Sequence, residues 1–140
     1  MIYNVDKKFI GYIDFNNILT EESIDKKDPD FGFGTCEVFI WKREGANIPH
    51  IHIKNKNIDT CVCIYKPYYF LHGQSHIDIM NNDQCKEFNN WMKMQNKRSR
   101  YKGFTNWEVA CILWKNTFPS LIEEVNVQPD YTKLNKNGAI

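Results

Sequence analysis

Between Thr35 and Tyr65 the chain holds three strand-length apolar runs separated only by short polar turns, and that spacing limits its fold most. Thr35–Trp41, Ile48–Lys54 and Ile58–Tyr65 are rich in the β-branched and aromatic residues that suit a pleated sheet. The connections, Lys42–Asn47 and Asn55–Asn57, are too short to carry a crossover helix, so neighbouring runs must pair antiparallel as a meander. Pro67 closes the third run, because proline has no N–H to give to a ladder.

Earlier in the chain, Phe9–Phe15 reads as a further strand. Thr20–Ile24 suggests the start of a short helix, with threonine as cap and two acids in the first turn. Asp28-Pro29-Asp30 ends it, and Phe31-Gly-Phe-Gly34 reads as a flexible approach to the next strand. After Pro67 the pattern is a loop, followed by a brief edge strand over Ser75–Ile79.

Helical spacing begins near Asn81. Cys85, Phe88, Trp91, Met92 and Gln95 recur at three and four residues, a stripe that should face the sheet. Thr105-Asn-Trp-Glu108 matches a capping box, and Trp107, Ala110, Cys111, Trp114 and Phe118 supply the face of a second helix. Asparagine, with sixteen copies, acts largely as punctuation: Asn16-Asn17, Asn55, Asn57 and Asn81-Asn82 fall where the patterns stop. The expected fold is α+β, an antiparallel meander of three to five strands with two main helices on one face. A length of 140 residues fits one domain over 1–129, with a flexible tail over 130–140.

A formal charge of +1 gives no general attraction to nucleic acid. No apolar run is long enough to span a bilayer, and no signal peptide is visible, which points to the cytoplasm and to no membrane partner. The five cysteines are odd in number and sit in strand or helix patterns, as reduced core thiols do. Cys61-Val62-Cys63 lacks the two-residue gap of redox and zinc motifs.

Chemistry concentrates on one strand. In Ile48-Pro-His-Ile-His-Ile-Lys54 the two-residue period sends His50 and His52 to one side and Ile51 and Ile53 to the other. Side chains two apart on a strand stand roughly 6–7 Å apart at the backbone, close enough to converge on zinc. A third ligand has to come from elsewhere: His72, His76, Glu37 or Asp78. The same pair could move a proton in phosphodiester cleavage, or simply hydrogen-bond within the fold.

Pro49-His50-x-His52, with Trp91 on the first helix and Asn106-Trp107 on the second, resembles a small bacterial and phage family of unassigned function. The likeness runs from Thr35 to Trp114. It implies a small single-domain protein, in some cases encoded beside toxin–antitoxin or mobile-element genes. The first thirty or so residues, the His72–Ile79 segment and a longer basic loop depart from that family's compact form.

Charge is uneven beneath its small sum. Residues 1–37 carry four lysines against eight acids, whereas residues 86–102 carry six basic residues against Glu87 alone. Lys97, Arg98, Arg100, Tyr101 and Lys102 could hold a phosphate backbone and stack a base, or meet an acidic protein. Tyr68 and Tyr69 are candidate interface anchors. Phosphate-binding, dinucleotide, zinc-protease and serine-hydrolase motifs are missing from the sequence. The favoured expectation is a small interaction or inhibitory module, phage or mobile-element encoded, acting against a host protein or nucleoprotein complex such as a defence system. The alternative is a metal- or histidine-dependent phosphodiester hydrolase built on His50 and His52.

Overall fold

The computed structural model describes residues 21–25, 29–41, 48–70, 79–119 and 127–136. The three apolar runs form β2 (Glu37–Trp41), β3 (His50–Lys54) and β4 (Asp59–Cys63), paired antiparallel in chain order. β1 (Glu21–Asp25) lies outside β2 and β5 (Tyr68–Phe70) outside β4, both antiparallel. A short β6 (Asn135–Lys136) pairs parallel with β5, so the sheet order follows the sequence order. The fold is α+β, as the run spacing requires.

One asparagine accounts for the tight turn between β3 and β4. The Asn55 side-chain oxygen accepts from the backbone N–H groups of Asn57 and Ile58 at 2.7 and 2.9 Å. Its amide donates to the carbonyls of Phe33 and Thr35 at 3.2 and 3.1 Å. The turn is thereby closed on itself and tied to the segment entering β2.

Two α-helices follow, α1 (Asn82–Lys93) and α2 (Asn106–Thr117), each opened by a reciprocal capping box. At α2, Thr105 Oγ1 accepts from the Glu108 N–H at 3.1 Å, and Glu108 Oε1 accepts from the Thr105 N–H at 2.8 Å. Replacing Thr105 by Ala should therefore cost about 1 kcal/mol in urea unfolding, with the fold retained. A cost near zero would show that the cap contributes nothing to the folded state.

The register sorts the strand side chains into two sets. Val38 pairs with Ile53, and Ile51 with Val62, and these join one core with Phe88, Met92, Val109 and Leu113 of the helices. Phe39 pairs with His52, His52 with Cys61, and His50 with Cys63, on the alternate side. α2 is buried at Asn106, Trp107 and every position from Val109 to Trp114, which marks a helix enclosed all round. The Trp107 indole N–H donates to the Ile64 carbonyl at 2.9 Å, fixing α2 to the end of β4.

Several expectations change. Glu21–Asp25 is a strand, not a helix start: pairing with β2 and burial of Ile24 outweigh a local capping signal. Phe31 anchors its glycine-rich segment, packing edge-on against Phe88 and Trp91 at 5.4 and 5.5 Å. Asp30 Oδ1 accepts from Gly32 and Gly34, whose positive φ values of 105° and 92° let the chain turn around that carboxylate. Tyr68–Phe70, read as loop, is β5. Within the segment read as a flexible tail, Tyr131 is fully buried and Asn135–Lys136 belong to the sheet. The strand expected at Phe9–Phe15 lies outside the described residues, as does nearly all of the one expected at Ser75–Ile79.

Candidate functional site

β3 brings its two histidines together as the alternation predicts. The imidazole centroids of His50 and His52 are 5.1 Å apart, at an interplanar angle of 57°. The neighbouring strand supplies a third group. Cys61 is the register partner of His52, and its Sγ lies 3.4 Å from His52 Nδ1. One ligand atom from each of His50, His52 and Cys61 falls within 4.8 Å of the others.

The surroundings hold these rings in place. Phe39 stacks on His52 at 5.1 Å and 10°, and Trp114 of α2 lies 5.2 Å from His50. His50 Nδ1 is 2.7 Å from the Ile48 carbonyl oxygen. A carbonyl can only accept, so Nδ1 carries the proton and the lone pair of the neutral ring sits on Nε2. Burial is nearly complete, with exposures of 1% for His50, 5% for His52 and 2% for Cys61.

Of the other proposed ligands, His72, His76 and Asp78 lie outside the described residues, and Glu37 is not part of the cluster. Cys61 escaped the sequence reading because it lies on the next strand and breaks the usual cysteine spacing. The signal was present in the hairpin itself: a turn at Asn55–Asn57 places residue 61 opposite residue 52.

The basic segment is organised by a pair of buried asparagines. Asn106 Nδ2 donates to the Trp91 carbonyl at 2.7 Å, while its Oδ1 accepts from Asn96 Nδ2 at 2.9 Å. Asn96 also donates to the Ile24 carbonyl at 3.3 Å and accepts from the Arg98 N–H at 3.0 Å. Backbone bonds from Asn96 to Phe104 and from Asn106 to Met94, both 2.8 Å, close the loop at its neck. A 3₁₀ turn, Ser99–Tyr101, forms its tip.

Lys97, Arg100 and Lys102 are exposed on this loop, and Arg98 is half-buried. Tyr101 is fully buried, with the Arg100 guanidinium 5.4 Å from its ring centroid. The ring that was a candidate for base stacking therefore serves as the loop's apolar root. Tyr68 and Tyr69 are half-buried in β5, and Tyr68 packs against Cys61 and Cys63.

All five cysteines are buried and none forms a disulfide. Among the described residues no helix is long and apolar enough to cross a membrane. Comparison of the chain with protein-family models, curated proteins and solved structures finds no match.

Proposed function

We propose that this chain is a small binding module that docks on an acidic protein surface through the basic loop spanning Lys93–Lys102. The observation that carries the reading is the asparagine-braced neck, which holds a cationic loop in one shape before any partner arrives. A loop ordered in advance loses little entropy on binding, so its charges translate more fully into affinity.

Two features favour protein over nucleic acid. Tyr101 is buried beneath the loop and does not offer a face to a base. Met94, 58% exposed at the start of the same loop, adds an adaptable apolar contact of the kind protein interfaces use. The hydrolase alternative is weaker, because a bulky phosphodiester has no direct access to imidazoles 1% and 5% exposed. An inhibitory role against a host protein or nucleoprotein complex is a natural setting for such a module, and five cysteines without a disulfide suit a reducing compartment.

The test uses the whole chain with two probes, poly-glutamate and a single-stranded oligonucleotide, followed by fluorescence anisotropy over a salt series. Poly-glutamate should bind in a salt-sensitive way, and Arg98→Glu/Arg100→Glu should weaken it at least tenfold, about 1.4 kcal/mol, without changing the circular dichroism. Tighter binding of the oligonucleotide would transfer the loop to nucleic acid. Equal affinity of the charge-reversed chain for poly-glutamate would remove the loop from the function.

A further inference from the structure

We propose that His50, His52 and Cys61 form a binding site for one zinc ion, with Cys61 as thiolate ligand. The inference is independent of the basic loop and uses no residue of it.

The donor set is right for the ion. Zinc is borderline-soft and takes imidazole nitrogen and thiolate sulfur together, at about 2.0–2.1 Å and about 2.3 Å. Tetrahedral coordination at those lengths puts a nitrogen and a sulfur ligand roughly 3.6 Å from each other. Cys61 Sγ and His52 Nδ1 are already 3.4 Å apart. The widest separation in the cluster, within 4.8 Å, needs a closure of about 1 Å, which rotation about the side-chain bonds can supply.

His50 has the orientation that a metal-bound histidine requires. Its Nδ1–H donates to the Ile48 carbonyl at 2.7 Å, which fixes the ring and leaves Nε2 as the nitrogen able to coordinate. Phe39 against His52 and Trp114 near His50 restrict ring motion and lower the local polarity, which strengthens attraction between a cation and a thiolate. Two β-strands supply the three groups, so the site rests on the sheet and not on a loop.

Binding exchanges the Cys61–His52 hydrogen bond for two bonds to the metal. The thiol proton leaves to solvent as the sulfur becomes a thiolate, so each zinc bound at neutral pH releases close to one proton. Three ligands from the protein leave the fourth tetrahedral position for a water or another donor.

Cobalt(II) reports on this geometry. The full chain, stripped with chelator and held reduced by a non-thiol reductant, is titrated with Co²⁺ and then with Zn²⁺. The expected result is a thiolate-to-cobalt charge-transfer band that saturates at one equivalent and is bleached by zinc. Cys61→Ser should abolish the band, and Cys85→Ser should keep it, since Cys85 donates instead to the Met80 carbonyl from α1. Should Cys61→Ser fail to fold, proton release from the unaltered chain on adding Zn²⁺ in weak buffer decides the matter without a variant. A folded, reduced chain giving neither band nor proton release overturns the site, and so does a band that survives in folded Cys61→Ser.

Discussion

Tyr131→Ala should destabilise the protein by about 4 kcal/mol, the range for emptying a large aromatic site in a core. Tyr131 is fully buried, and its ring lies 5.2 Å from Phe88 of α1. Its hydroxyl donates to the carbonyls of Cys63, at 3.1 Å, and Ile64, where β4 ends. Asn89 grips the same segment, its Oδ1 accepting from the Tyr131 N–H and from Gln128 Nε2, each at 3.0 Å. Urea unfolding measures the loss, and hydrogen exchange should show residues 127–136 opening first in the variant. Tyr131→Phe keeps the ring and should cost about 1–2 kcal/mol, the cost of leaving a buried acceptor short. A loss below about 1 kcal/mol for the alanine variant would return this segment to the surface.

The same phenol sets an alkaline limit. Burial pushes its ionisation well above the ordinary value of 10.0, so the folded state holds the proton more tightly than the unfolded chain. Its contribution is fully present below pH 10 or so and is lost as pH climbs from there, because only the unfolded form releases the proton readily. Tyr131→Phe should flatten that part of the stability profile.

Asn106→Ala should cost about 2 kcal/mol, because it removes two buried hydrogen bonds at once. The Trp91 carbonyl is left with the Met94 N–H, and Asn96 Nδ2 with the Ile24 carbonyl, each losing one of two partners. Asn106→Asp is the more telling variant: it keeps the acceptor for Asn96 but sets a carboxylate against the Trp91 carbonyl. Both should loosen the loop as well as the fold, seen as faster amide exchange over residues 96–104. A variant as stable as the parent would mean that the loop's shape is set elsewhere.

These two sites show how far the sequence could be read. The meander was legible because turn length leaves little choice of strand order, and both helix starts because a capping box is written locally. β1 was not, since a threonine followed by acids looks like a helix start until a neighbouring strand claims it. The tail was misjudged because Tyr131 is one aromatic among polar neighbours, and its burial depends on α1 and β4. Asparagines showed both sides of the difficulty. Asn55 closes its own turn and Asn81 caps its own helix, so both could be recognised locally, whereas Asn89, Asn96 and Asn106 are buried clamps whose partners lie farther along the chain. The histidine pair followed from strand period alone, but Cys61 required the hairpin register.

The pairing of β5 with β6 has a consequence for synthesis. Tyr131 seals carbonyls 67 and 68 residues earlier in the chain, so β4 waits for most of a helical layer to be made before its end is capped. A nascent chain that has released α2 but not residue 131 carries an open core beside Phe88 and an unpaired β5 edge. Such an intermediate is a target for chaperones and for pairing with other strands. Docking of Tyr131 against β4 therefore has to wait for translation of a short polar segment.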